Sequence, residues 1–415
     1  MPYVQIVDYL FWIQEEWKMI SERMAKMAAG GSAIRAMFEE GKRLAKEYGA
    51  ENVFDFSIGN PYFAPPEAVK NAIVDIITNE DPMYVHGYPA NAGYPEVRKA
   101  VADSLNARFG TKYDENNIIM TVGAAGGLCD VMHTLLNPDD EVICISPYFF
   151  EYNNYITTPG GKVVVVPASE SEGFVPDVEA IAKAITPRTK AVILNNPNNP
   201  TGVVYPAELL RKYSDMLLEK GKEYGTVIYT VSDEPYRELV YDGVEVPWMP
   251  NCVANSIVCY SWSKSLSLPG ERIGYIVIPS EIADGQLIFD AAVVANRMLG
   301  FVNAPSLMQL VVARCLNEST AIDKYDANRK LLYNGLHELG FECAYPAGAF
   351  YMWVKTPIEE REFIARAKAY NLLLVPGSNF GTPGYVRLAY CVSGDMIKRS
   401  MTAFAKLAEE CGLKK

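Results

Sequence analysis

Five short stretches of the sequence place residues able to do chemistry directly after apolar runs. Lys264 follows N-S-I-V-C-Y in S-W-S-K, where burial would lower its pKa and free its amine for Schiff-base chemistry. Asp233, in D-E-P-Y, follows G-T-V-I-Y-T-V-S, and a carboxylate at the end of a central strand is costly unless it meets a cation. Gly123-Ala124-Ala125-Gly126-Gly127 follows N-I-I-M-T-V, and small residues opening a helix let backbone N–H groups approach an anion. Ser261 and Ser263 flank Trp262 and share one side of an extended segment, with Arg272 eight residues beyond Lys264 in G-E-R-I-G. Arg387 lies in Y-V-R-L-A-Y, and an inward-facing strand arginine calls for a carboxylate from protein or substrate. Each stretch taken alone also fits a plain structural use: a tight turn, a helix cap, a solvated amine, a surface ion pair. Together they supply a phosphate cradle, a Schiff-base lysine, a carboxylate for a pyridinium nitrogen and a carboxylate-binding arginine. That is the set needed to use pyridoxal 5′-phosphate as an electron sink.

These residues must be positioned by a regular frame, and the patterning predicts one. Apolar runs at 117–122, 141–146, 162–167, 190–195, 225–232 and 255–262 alternate with helical stretches such as 127–136, 177–185 and 206–222. Continuous apolar strands separated by helices imply a mostly parallel sheet covered on both faces, a doubly wound α/β domain. Ligands of such sheets lie beyond the carboxyl ends of the strands, where these motifs fall. V-F-D-F-S-I-G reads as a strand stopped at Asn60-Pro61, and 32–48 as an amphipathic helix. After about residue 296 the pattern changes to helices around 304–340, then strands in F-Y-M-W-V-K, L-L-L-V-P-G and Y-V-R-L-A-Y and a last helix at 393–411, a smaller α+β domain.

Composition narrows the function classes. The 415 residues are 49% hydrophobic and 21% charged, enough for a sizeable core without disulfide or metal staples. A net charge of −12 disfavours nucleic acid. Eight cysteines without a C-x-x-C pair read as free thiols in a reducing compartment, and three histidines without H-E-x-x-H leave little to build a metal site. No run reaches the roughly 20 apolar residues of a membrane span, and the first 20 residues lack the basic start of a secretory signal. The expectation is a cytoplasmic protein with no membrane, nucleic-acid or metal partner.

With N-P-N-N-P-T-G (196–202), D-E-P-Y, S-W-S-K and G-E-R-I-G in that order, the chain resembles the class I/II aminotransferases of the fold-type I PLP enzymes from about residue 34 onward. The resemblance implies that Lys264 forms the internal aldimine and shuttles the proton, and that Asp233 pairs with the pyridinium nitrogen. Asn199 and Tyr236 would hydrogen-bond the ring hydroxyl, and Phe149 would stack on the ring. Gly123, Ala124 and Ala125, with Ser261, Ser263 and Arg272, would hold the phosphate, and Tyr88 would reach it across a homodimer interface. Arg387, aided by Gly59 and Asn199, would grip the substrate α-carboxylate. Residues 1–18 are expected as an arm and 19–60 as a segment joining the small domain. The large domain is expected at 61–296 and the small one at 297–415. Where related prokaryotic aspartate aminotransferases carry a lysine for a distal carboxylate, this chain has Ala125. The implied activity is amino transfer between an L-amino acid and a 2-oxo acid. Aspartate specificity, or the chemistry of a same-fold C–S lyase, decarboxylase or aminocyclopropane-carboxylate synthase, stands as the alternative.

Overall fold

The computed structural model describes residues 20–29 and 33–413; the arm expected at 1–18 lies outside them. Twelve strands among these residues run in order β1 (Phe54–Asp55), β2 (Ile118–Thr121), β3 (Glu141–Ser146), β4 (Lys162–Pro167), β5 (Thr189–Asn195), β6 (Tyr229–Asp233), β7 (Ser256–Ser261), β8 (Gly274–Val277), β9 (Tyr351–Lys355), β10 (Leu372–Leu373), β11 (Val375–Pro376) and β12 (Tyr385–Ala389). Seven form one sheet in the order β2-β8-β7-β6-β5-β3-β4. It is the mostly parallel α/β sheet expected. Only β8 runs against its neighbours, pairing antiparallel with β2 and β7.

The apolar strands feed two cores. Ile143, Ile145, Val192, Leu194 and Val258 point into one, and Val142, Cys144, Ala191, Ile193 and Ile257 into the other. Alternate side chains of a strand face opposite sides of its sheet, so a strand covered on both faces must be apolar throughout. Sequence patterning did not single out β8: it is four residues long, begins with glycine and follows directly on the G-E-R-I turn. The strand expected in V-F-D-F-S-I-G is only Phe54–Asp55, because Ser57 turns back to donate from both its amide and its hydroxyl to Asp55 Oδ1, at 2.9 and 2.6 Å. The helix expected from Gly127 begins at Gly123 and ends at Leu135.

A three-stranded antiparallel sheet, β11-β12-β9, sits over a separate core that includes Phe56, Leu332, Phe350, Phe363 and Phe404. β1 pairs in parallel with β10, which ties the N-terminal segment to this second unit. The helix Ser306–Arg314 packs with the large-sheet core through Met308, Val311 and Val312, whereas Ile322–Glu338 packs against Gly394–Glu410. Among the described residues no helix is long and apolar enough to cross a membrane.

Candidate active site

Three neighbouring strands end at one place. β5 closes on Asn195 in register with Asp233, the last residue of β6, and Asp233 is in register with Cys259 of β7. Beyond these ends lies a cavity of about 330 Å³, bounded on its far side by the small sheet. Its lining brings together Gly59, Ala124, Ala125, Phe149, Asn199, Asp233, Tyr236, Ser261, Ser263, Lys264, Arg272 and Arg387. Residues from seven separate stretches of sequence converge there. Gly123 sits at the rim, beside Arg272. Tyr88 is not part of this lining; its side chain is 92% exposed on the same chain.

One end of the cavity is suited to an anion. The helix Gly123–Leu135 starts without a side-chain cap, which leaves its first N–H groups and the positive end of its dipole free for a ligand. Gly123 has φ +69°, and a Cβ there would come within 2.8 Å of Arg272 Nη2. Glycine thus lets the guanidinium close on the helix start. Arg272 is steadied by donating from Nη1 to the Pro269 carbonyl at 2.9 Å. The hydroxyls of Ser261 and Ser263 lie 2.6 Å apart, and Ser261 also caps the short helix Trp262–Ser265 that carries Lys264.

Asp233 occupies the floor. Its Oδ2 accepts from the Tyr152 hydroxyl at 2.6 Å, while its buried Oδ1 has no partner. Burial pushes this carboxyl up to about 7, against the opposing Tyr152 hydrogen bond. A carboxylate so placed is matched to a cation entering from the cavity. Lys264 is half-buried, and its Nζ donates to the Gly59 carbonyl at 2.6 Å. Burial lowers its pKa to about 8; Cys391 opposes the shift, and the positive charges of Arg387 and Arg272 add to it.

At the opposite end Arg387 is 2% exposed, with no carboxylate among its contacts. Its Nη1 donates to Asn199 Oδ1 at 3.1 Å, its Nη2 to the Ser57 carbonyl at 2.6 Å, and its Nε has no partner. The N-P-N-N-P-T-G loop is set by its own side chains. Asn196 Oδ1 accepts from the Tyr205 amide, Asn198 Oδ1 from the Thr201 amide and hydroxyl, and Asn195 Oδ1 from the Asn199 amide.

The sequence reading missed three contributors. Tyr152 holds Asp233, and its ring stands edge-on to Phe149 just ahead of its helix, so the last aromatic of P-Y-F-F-E-Y was the available signal. Asn195 links two motifs, donating to the Asp233 carbonyl at 2.8 Å while accepting from Asn199. Tyr351 packs against Arg387, and no local pattern announces it.

The donor set fits a phosphorylated pyridine aldehyde. It offers an anion cradle at one end, a lone buried carboxylate oxygen for a ring N–H, an amine of lowered pKa, and a guanidinium for a second ligand. Comparison with known proteins identifies the family. Residues 51–404 match the family described as aminotransferase class I and II. The aspartate/prephenate aminotransferase of Thermus thermophilus is 34% identical over 356 residues, covering 84% of this chain and 89% of the relative. Aromatic-amino-acid aminotransferase 2 of Thermococcus litoralis is 29% identical, with 91% of this chain and 96% of the relative covered. A crystal structure of an amino transferase from Eubacterium rectale superposes with a TM-score of 0.93 at 43% identity, covering 96% of this chain and 100% of that one.

Proposed function

This chain belongs to the class I and II aminotransferase family and is a transaminase, and we propose that it holds pyridoxal 5′-phosphate in the cavity between its seven-stranded and three-stranded sheets. The observation that carries this reading is the unpartnered Oδ1 of Asp233, buried at the end of β6 in a cavity that also holds Lys264, Arg272 and Arg387. When bound, the cofactor supplies an electron sink for charge developing at the substrate α-carbon.

Each residue then has a task. The amides of Gly123, Ala124 and Ala125, the hydroxyls of Ser261 and Ser263 and the Arg272 guanidinium hold the phosphate. Asp233 keeps a proton on the ring nitrogen, Phe149 covers the ring face, and Asn199 and Tyr236 hydrogen-bond the ring hydroxyl. Arg387 takes the α-carboxylate beside Asn199 and Gly59. Lys264 Nζ is the nucleophile that holds the cofactor; its lowered pKa leaves a useful fraction neutral near neutral pH, so that it can also take the α-proton and return it.

A homodimer fits the surface. The loop carrying the exposed Tyr88 is tied to the 301–303 loop by Asn91 Nδ2 to the Val302 carbonyl and by Asn303 Nδ2 to the Pro89 and Ala90 carbonyls. Leu287, Val294 and Met298 expose one apolar face of the adjoining helix Gly285–Met298, and a second copy would cover it and receive Tyr88. The eight unpaired thiols, four of them buried, favour the cytoplasm. The substrates in this reading are an L-amino acid and a 2-oxo acid, and the relatives named above act on different amino acids.

The test is to load the purified chain with pyridoxal 5′-phosphate. A visible absorbance band that Lys264→Ala abolishes is expected; a colourless loaded wild type overturns the reading. A panel of amino donors against 2-oxoglutarate and pyruvate then identifies the substrate pair.

A further inference from the structure

Tyr351 touches three parts of the site at once. It lies on β9, two residues before Trp353, whose register partner on β12 is Arg387. Residues diagonal to one another on one sheet face remain within reach of large side chains, and the Tyr351 ring lies 4.4 Å below the Arg387 guanidinium carbon. Phe380 covers the guanidinium at 5.0 Å, so its position is set by two rings rather than by an acid. The Tyr351 hydroxyl crosses to the large unit, 3.0 Å from the Tyr236 hydroxyl. It also fills the space where a Cβ on Gly59 would stand, and the Gly59 carbonyl is the group that accepts from Lys264 Nζ.

A tyrosine hydroxyl has one proton to donate. If Tyr236 donates to the cofactor ring hydroxyl, as the proposed function requires, the proton between the two tyrosines must come from Tyr351. We propose that Tyr351 is a positioning residue of the amino transfer: its ring seats Arg387 for the substrate carboxylate, and its hydroxyl donates to Tyr236, directing the Tyr236 proton at the cofactor ring. Donation into the Tyr236 oxygen strengthens the bond that Tyr236 makes in turn. The charged or titratable groups facing the pair are Arg387 from β12, Asp233 from β6, and Cys391 and Lys264 beside Arg387. None of them offers an acceptor that the structure shows bonded to either hydroxyl.

The inference rests on the cofactor reading, and the experiment separates the two. The full chain loaded with pyridoxal 5′-phosphate, with no amino donor present, is titrated with acid and base while its visible band is followed. Tyr351→Phe removes only the hydroxyl. A weaker Tyr236 bond leaves more negative charge on the ring oxygen to hold the neighbouring proton, so the midpoint should rise by roughly half to one pH unit, the size of one net hydrogen bond. KM for the amino donor should stay within about twofold, since the ring under Arg387 is kept. Tyr351→Leu should show the same rise together with a KM about tenfold higher. In a Tyr236→Phe background, Tyr351→Phe should shift the midpoint no further. An unchanged midpoint in Tyr351→Phe overturns the proposal, as does an equal shift in both backgrounds. A wild type that develops no band at all overturns the cofactor reading instead.

Discussion

Adjacent residues of one motif, Asp233 and Glu234, are both buried acids and are treated in opposite ways. Glu234 is neutralised within the chain: Arg237 Nε lies 2.5 Å from its Oε2, and the Ser232 hydroxyl donates to its Oε1. Arg237 is in turn satisfied by the Val246 and Pro247 carbonyls and lies over the Trp248 ring. Asp233 meets only the neutral hydroxyl of Tyr152 and keeps one bare oxygen. Two other buried groups, Arg329 and Arg387, show the same contrast. Arg329 is paired with Asp242 and Asp326, whereas Arg387 meets a carbonyl, an amide oxygen and two rings. Glu234 and Arg329, away from the cavity, find their counter-charge in the same chain. Asp233 and Arg387, which line the cavity, are hydrogen-bonded into place without a counter-charge, as a pocket open to charged ligands requires.

The same substitution at two arginines tests this division and carries the largest effects. Arg237→Met strips Glu234 of its partner and should cost about 3–5 kcal/mol in urea denaturation. Arg387→Met removes a buried charge without a counter-ion and should change stability by less than about 1 kcal/mol, while raising KM for the amino donor roughly 100-fold. Equal losses of stability in the two variants would dissolve the distinction.

Asp233→Asn sharpens it at the acid. Without cofactor, the Asp233 carboxyl titrates near 7 in the folded chain and near 3.8 when unexposed to that burial. The folded state therefore holds the extra proton between these values, and its stability falls as pH rises through that window. The asparagine variant lacks this dependence. Its cofactor-free form should match wild type near pH 4 and exceed it by on the order of 1–3 kcal/mol at pH 8, while binding the cofactor more weakly. Urea melts at the two pH values check the sign. The smallest effect is expected from Tyr152→Phe, which leaves Asp233 with neither oxygen bonded and should weaken cofactor retention about 3- to 10-fold by equilibrium dialysis.

Much of the frame was legible because strands buried on both faces are mostly apolar, so β2, β3, β5 and β7 stand out as apolar runs. β8 did not, being short and continuous with a glycine turn. The candidate site was legible where a cavity-lining residue falls just after such a run, as at Asn199, Asp233 and Lys264. It was not legible at Tyr152, Asn195 or Tyr351. A tyrosine inside a helix or an asparagine closing a strand looks like ordinary core or turn chemistry until its cross-strand neighbour is known.

Residue order alone placed a lysine, an acid and a helix opened by small residues at strand ends, because strand length and glycine or proline turns are local properties. Tertiary structure settled which of these groups face one another. Arg387 belongs to a different sheet, and β9 and β12 must pair before it can be held between Tyr351 and Phe380. The division of the buried charges into completed and incomplete ones was likewise invisible in one dimension. Whether a charge is paired depends on distances of a few ångströms between residues far apart in sequence, and only the folded chain sets those distances.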